Sequence, residues 1–304
     1  MNYTASPSTR TYAANNSVDL DALARATGRS LIGREDVDAF LSGTPRQNAA
    51  APASASPERY WDVDHAAFGP VREEPVAKVF RAAAANLSAA SAMIPQVTHH
   101  DRADMRAVES LRAAYRSEAE QRGVRLTALA FHVAALARCL IEFPRFNASL
   151  KPGGETLVLK DYVHIGIAVD TPAGLMVPVI RNADRKGLFE IAREIGDLAK
   201  RAQARKLRPD EMGGASMSIS NLGAIGGCGF TPIVNPPEVA ILGITRTETV
   251  PVWDNAAWQP VPMVPLDLSY DHRVVNGADA ARFLSRFATL IAEPRRLLVQ
   301  EAAL

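Results

Sequence analysis

The 304-residue sequence predicts an α/β (α+β) fold, a body with a substantial mixed or antiparallel sheet preceded by a small helical domain. Three observations lead there. Helical and strand periodicities alternate through residues 59–304. No Gly-x-Gly-x-x-Gly follows a strand pattern, which excludes a Rossmann unit. Two short helical patterns stand apart in residues 1–42, separated from the body by a run of Ala, Pro and Ser.

In chain order, Ser6-Pro7 can start a first helix, residues 19–26 follow, and Arg34-Glu35-Asp36-Val37-Asp38-Ala39-Phe40-Leu41 reads as a second. So little chain makes only a small core. Residues 43–58 cannot bury enough apolar surface to offset the entropy of ordering and read as a linker. In the body, a strand is expected over 96–101, and a helical period runs through Met105, Val108, Leu111, Tyr115 and Ala119. A second helix covers 126–143, and a third runs through Leu188, Ile191, Ile195, Leu198 and Ala202. Val163, Ile165, Ile167 and Val169 alternate as a strand, and Asp170-Thr171-Pro172-Ala173-Gly174 turns the chain back through 175–180. Further strands are expected over 215–220, 239–244 and 264–270, and the last helix begins near Gly277 and ends before Pro294.

Lys and Arg number 34 against 33 Asp and Glu, so no broad field recruits nucleic acid or an anionic membrane. Cys139 and Cys228 lie far apart without metal-ligand spacing, which argues against a zinc site or a disulfide and for a reducing compartment. Met1-Asn2-Tyr3-Thr4 lacks a basic region followed by an apolar run, and no apolar stretch reaches the roughly 20 residues of a membrane helix. A soluble, cytoplasmic protein is expected.

Two segments could carry chemistry. In Leu266-Asp267-Leu268-Ser269-Tyr270-Asp271-His272-Arg273-Val274-Val275-Asn276-Gly277, a strand delivers His272 and Asn276 stands where a helix N-cap belongs. An imidazole held between two rigid elements suits proton transfer near neutral pH. The same spacing also fits a buried structural histidine followed by an ordinary cap. In the second segment, Ser216, Ser218 and Ser220 share one strand face, opposite Met217 and Ile219. They run into the loop Asn221-Leu222-Gly223-Ala224-Ile225-Gly226-Gly227-Cys228-Gly229, whose glycines admit a close backbone approach. That face is either the wall of a polar channel, able to donate to an oxyanion, or a solvated surface. No Gly-x-Ser-x-Gly elbow supports a serine hydrolase. His99 and His100 are neighbours on a strand and point to opposite faces, a poor chelate, so no metal site is expected. His132 and His164 read as structural, and Cys228 as a small filler.

Ser269-Tyr270-Asp271-His272-Arg273-Val274-Val275-Asn276-Gly277-Ala278 resembles the active-site signature of the dihydrolipoamide acyltransferases of 2-oxoacid dehydrogenase complexes. The likeness continues in family order. It takes in Pro144-Arg145-Phe146-Asn147, Ile165-Gly166-Ile167-Ala168-Val169-Asp170-Thr171-Pro172, Ser220-Asn221-Leu222-Gly223, Thr231-Pro232-Ile233-Val234-Asn235-Pro236-Pro237-Glu238 and Pro294-Arg295-Arg296-Leu297-Leu298. The resemblance implies a chloramphenicol acetyltransferase-like mixed-sheet catalytic domain over 59–304. It also implies a homotrimer or larger core with channels between subunits, His272 from one subunit and Ser220 from its neighbour. His272 is the implied base and Ser220 the oxyanion donor, with Ser218 in reserve. Asn276 stands where many members carry Asp. Substrate contacts are expected from Ser218, Asn221, Gly223, Gly226 and Gly227.

The implied reaction moves an acyl group between dihydrolipoamide and coenzyme A. Val169-Asp170-Thr171-Pro172 and Pro251-Val252-Trp253 resemble pyruvate-type members and so point to acetyl. Residues 1–42 resemble, in degenerate form, the domain that grips the 2-oxoacid decarboxylase or dihydrolipoamide dehydrogenase component; its usual Gly/Pro-rich loop reads Arg25-Ala26-Thr27-Gly28-Arg29-Ser30-Leu31 here. Coenzyme A is expected as substrate and no cofactor is expected to be bound covalently. No Asp-Lys-Ala lipoylation signal occurs in the sequence, so the lipoyl domain is expected in trans, on another chain. Two other readings are a catalytically silent core subunit, which would have no use for His272 or Ser220, and a free-standing acetyltransferase acting on a small hydroxyl or amine, against which the N-terminal helical domain speaks. Residues 300–304 are expected to affect assembly into a larger shell.

Overall fold

The computed structural model of the protein describes residues 3–27, 31–43, 63–172 and 174–298. Almost all of the expected linker and the segment 300–304 therefore lie outside the described residues. The chain forms two compact units, Met1–Glu74 and Pro75–Leu304.

In the first unit, β1 (Thr4–Ala5) pairs in parallel with β2 (Leu31–Ile32) around helices α1 (Pro7–Asn15), α2 (Leu20–Thr27) and α3 (Arg34–Leu41). The Ser6 hydroxyl caps α1, accepting the Thr9 N–H at 3.1 Å, and Pro7 occupies the first turn, where its missing N–H costs nothing. Leu23, Ala24, Ile32 and Val37 close a small core. The Tyr12 hydroxyl ties α1 to α3 by donating to Asp38 at 2.7 Å.

The second unit opens with α4 (Lys78–Met93), followed by β3 (Gln96–Asp104), α5 (Arg106–Ala114), α6 (Arg116–Gln121) and α7 (Ala128–Glu142). The single helix expected over 105–119 is broken at Tyr115, whose ring packs edge-on against Phe189 and whose backbone ends α5. A hairpin of β4 (Ala148–Leu150) and β5 (Leu157–Leu159) precedes β6 (Ile165–Ile167), β7 (Val179–Ile180) and α8 (Leu188–Gln203). The remaining elements are β8 (Met217–Asn221), β9 (Ala240–Ile244), β10 (Glu248–Trp253), β11 (Trp258–Asp271) and α9 (Gly277–Ala292). The strand expected over 175–180 shrinks to two residues. Before them the turn is held by a Val169–Met176 bridge and by the Thr171 hydroxyl donating to Gly174 O at 2.6 Å. β11, at 14 residues, is twice the expected length, because β10 pairs with its first half.

The sheet runs β10-β11-β9-β8-β6-β7, with β3 also paired to β11. It is mixed: β6, β8 and β9 are parallel neighbours, while β11 is antiparallel to β3, β9 and β10. One face is apolar and packs on α7 and α9. Ile165, Ile167, Met217, Ile219, Leu242, Leu266 and Leu268 meet Phe131, Leu136, Phe283 and Phe287 there. The Phe283 ring stacks on Phe146 at 4.1 Å. Each such side chain contributes on the order of 1.5–3 kcal/mol by leaving water. No helix among the described residues is long and apolar enough to cross a membrane.

His132 lies inside this core as a structural residue, on α7 beside Phe287, and neither ring nitrogen has a hydrogen-bond partner among the described residues. Burial pushes its pKa down to about 4, from an ordinary value near 6.5. The fold therefore favours the neutral ring. That contribution is complete above pH ~6.5 and is lost as the pH falls toward ~4. Between pH ~8 and ~5 the loss from this residue alone is about 2 kcal/mol. In urea unfolding at those two pH values, His132→Leu is expected to lose about 2 kcal/mol less than the wild type. Equal losses would show that His132 does not titrate in this way.

Candidate functional site

The face of β8 opposite the core carries Ser218 and Ser220, with Ser216 just before the strand. The structure separates the three. Ser216 is fully buried; its hydroxyl donates to Tyr162 O at 3.2 Å and accepts the His164 N–H at 3.1 Å. Ser218 is 3% exposed and donates to Glu238 Oε1 at 2.9 Å. Gly166 on β6 makes room for it, since a Cβ there would stand 2.3 Å from Ser218 Oγ. Neither serine is part of a solvated face, because backbone carbonyls and a buried carboxyl take up their hydroxyls. Ser220 is half-buried, and its hydroxyl has no partner among the described residues.

After Ser220 the chain turns sharply. Asn221 Oδ1 accepts the Gly223 N–H at 2.9 Å, so this side chain shapes its own loop. A Cβ on Gly223 would meet Asn221 Oδ1 at 3.0 Å, and Gly226 and Gly227 adopt φ of +142° and +85°. These glycines are required by the backbone path itself. Cys228 is exposed and fills no gap, contrary to expectation. It lines a shallow cleft with His100, Arg102 and Asp267.

At the far end of β11 the backbone is firmly tied. Asp271 is 3% exposed and accepts the Arg273 N–H at 3.0 Å, Nε at 3.0 Å and Nη2 at 2.7 Å. Its carbonyl accepts the Val274 and Val275 N–H groups, each at 3.0 Å. His272 projects from this corner. Its N–H donates to Pro95 O at 3.1 Å, its ring lies 5.7 Å from the Tyr270 ring, and the imidazole is exposed with no partner among the described residues. The reading of His272 as a buried structural histidine is thereby overturned. Asn276 caps α9, accepting the Asp279 N–H at 2.8 Å, so in this chain its carbonyl fixes the helix start rather than the imidazole.

The sheet register places Ser220 and His272 apart. Ser220 pairs with Gly243, Gly243 with Asp267, and Asp267 with His100. His272 lies five residues beyond Asp267, which puts it roughly 16 Å along and 10 Å across from Ser220, about 19 Å in all. No hydrogen-bonded chemistry joins the two within one chain. His272 and Ser220 form parts of one site only if a second copy brings its own serine to this histidine.

Two groups escaped sequence reasoning. His100 Nδ1 meets the buried Asp267 Oδ1 at 2.6 Å, and the Phe230 N–H donates to Asp267 Oδ2 at 3.1 Å, clamping the glycine-rich loop to the sheet. Their separation in sequence hides this pair, although Asp267 shares a face with Ser269 in the strand pattern. Glu238, beside β9, is 6% exposed and bonds Ser218; a charge preceding an apolar strand was the only signal available.

The model of the 2-oxoacid dehydrogenases acyltransferase (catalytic domain) family matches residues 68–299. The acetyltransferase component of the pyruvate dehydrogenase complex of Azotobacter vinelandii is 45% identical over 97% of this chain and 47% of its own length. That of Pseudomonas aeruginosa is 46% identical over 97% of this chain and 55% of its own. The chain thus spans about half the length of these relatives. A crystal structure of the Azotobacter vinelandii dihydrolipoamide acetyltransferase superposes with a TM-score of 0.76 at 49% identity. It covers 78% of this chain and 98% of that one, and was studied for the role of a serine, a histidine and an asparagine in the catalytic mechanism. The mixed sheet with its helical cover is therefore the fold of those cores, and the chain belongs to the 2-oxoacid dehydrogenase acyltransferase family.

Proposed function

We propose that the protein moves an acetyl group between dihydrolipoamide and coenzyme A in a pyruvate dehydrogenase complex. The observation that carries this reading is the exposed, unpartnered His272 ring on a rigid strand-to-helix corner, with an unpartnered Ser220 on the same fold. In the Azotobacter vinelandii enzyme the serine, histidine and asparagine under study are separated by the same two intervals as Ser220, His272 and Asn276.

His272 takes the thiol proton of coenzyme A, and the thiolate attacks the acetyl carbonyl carried on the dihydrolipoyl sulfur. Ser220 donates to the oxyanion that develops. The tetrahedral intermediate collapses by breaking the bond to the dihydrolipoyl sulfur, and the imidazolium returns its proton to that thiolate. Both thiols are present together, so no acyl-enzyme is required. Asn276 serves by fixing the start of α9 behind the His272 corner. The Asn221 turn, Gly223, Gly226 and Gly227 shape the wall along which the thiols approach, and Ser218 supports that wall from behind.

The roughly 19 Å between Ser220 and His272 in one chain makes the working unit an assembly, a homotrimer or a larger core. One observation supports association: α4 leaves Phe80, Leu87 and Met93 exposed, and Ala90 is its one buried residue among those with described side chains. A cubic core of the pyruvate dehydrogenase complex is among the similar structures, with a TM-score of 0.76 and 49% identity. Residues 1–42 serve as a docking domain for the decarboxylase and dihydrolipoamide dehydrogenase components, and 43–58 as its tether to the catalytic domain, 59–304.

Incubation with acetyl-coenzyme A and free dihydrolipoamide tests the activity. Acetyl-dihydrolipoamide and free coenzyme A are expected, with succinyl-coenzyme A a substrate at least about tenfold poorer, the size of discrimination a pocket gains from a small change in acyl group. No product from either donor would refute the reading.

A further inference from the structure

The face of β8 opposite the core is held from both sides up to the residue before last. Lys160 Nζ donates to Ala215 O at 3.2 Å, Ser216 bonds the Tyr162 and His164 backbone, and Ser218 donates to Glu238 Oε1 at 2.9 Å. Among the described residues, only Ser220 is left unpartnered on this face. Glu238 itself is unusual. Its second oxygen, Oε2, is fully buried and has no hydrogen-bond partner among the described residues. A lone buried carboxylate oxygen is costly when ionised, and a proton relieves it.

Burial raises the Glu238 carboxyl to about 7, against the opposing pull of the Ser218 bond and the Lys160 charge. Lys160, from the segment after β5, supplies the charge whose field lowers it, and Ser218 and Asn235 supply polar contacts. Burial in turn lowers the pKa of Lys160.

We propose that Glu238 is a positioning residue of the acetyl-transfer site: it anchors Ser218, and its charge state sets the field in which Ser220 meets the developing oxyanion. This inference rests on the role given to Ser220 above. With a proton, Glu238 holds the strand without adding charge. Without one, it places a negative charge roughly 10 Å from the oxyanion, which opposes the transition state. At the effective dielectric of a partly buried site that repulsion alone is worth about tenfold in rate, and the imidazolium formed in the same step offsets part of it, leaving a fall of about threefold. The wild type should therefore show a falling alkaline limb in kcat.

The test measures kcat and KM between about pH 6 and 9 for the wild type, Glu238→Gln and Lys160→Gln, with dihydrolipoamide and acetyl-coenzyme A. In the wild type kcat falls about threefold across the alkaline limb and KM stays nearly constant. Glu238→Gln keeps an acceptor for Ser218 but cannot ionise, and it loses the limb. Lys160→Gln removes the cation that favours the carboxylate, so its limb moves to higher pH. An unchanged limb in Glu238→Gln, or an unmoved one in Lys160→Gln, overturns the proposal. Ser220→Ala separates the two readings. If it keeps full kcat, the assignment of Ser220 falls; if it loses activity while Glu238→Gln keeps its limb, the inference about Glu238 falls alone.

Discussion

His272→Ala lowers kcat for acetyl transfer by a factor of about 10²–10⁴ and leaves the unfolding transition within about 0.5 kcal/mol of the wild type. The two halves of that expectation come from different observations. The imidazole is exposed and makes no hydrogen bond among the described residues, so its removal opens no cavity and strands no buried group. The corner that carries it is held by backbone and by Asp271, through the bond to Pro95 O and the Asp271–Arg273 pair, all of which survive in the variant. The catalytic loss is double: no base removes the thiol proton, and no acid returns one to the leaving sulfur. Activity is measured as free coenzyme A released from acetyl-coenzyme A in the presence of dihydrolipoamide. Ser220→Ala should lose less, about 10²–10³, because one oxyanion donor is removed and the base remains. Wild-type turnover in His272→Ala would end the catalytic reading.

The chain's own pattern made much of this legible. Alternating apolar residues at Ile165, Ile167, Met217, Ile219, Leu242, Leu266 and Leu268 mark the sheet face that packs on α7 and α9, and the structure buries every one of them. The strand-to-helix corner at His272 and the cap at Asn276 follow from the switch of period between Tyr270 and Gly277. Elements without a one-sided pattern were missed. α4 is rich in alanine and exposed on nearly all described positions, so it offers no apolar stripe to read. β10 contains Pro251, and although its burial alternates, Val250 and Val252 on one face stand against Pro251 and Trp253 on the other, so its residue types do not. The serine face was half legible. Periodicity puts Ser216, Ser218 and Ser220 together, but only tertiary contacts from Tyr162, His164 and Glu238 decide which hydroxyls are already taken. The Asp267–His100 pair and the Glu238–Ser218 bond depend on register between distant segments, and no local pattern encodes register across a sheet.

The second large effect concerns assembly. Two chains, one His272→Ala and one Ser220→Ala, are each nearly inactive, yet a mixed oligomer of the two should not be. If each site takes His272 from one subunit and Ser220 from its neighbour, random assortment of equal amounts leaves about a quarter of the interfaces with both groups intact. The gain over either parent is then at least tenfold, well beyond what a change in folding yield produces.

Co-expression of the two variants with different affinity tags, purification through both tags, and measurement of kcat per interface test the central claim directly: the transfer site is built from one chain's imidazole and another chain's hydroxyl. Selection through both tags removes the homo-oligomers, so the predicted result is recovery of about a quarter of wild-type activity for a large core and about a third for a trimer. Doubly tagged oligomers no more active than the two parents would contradict it.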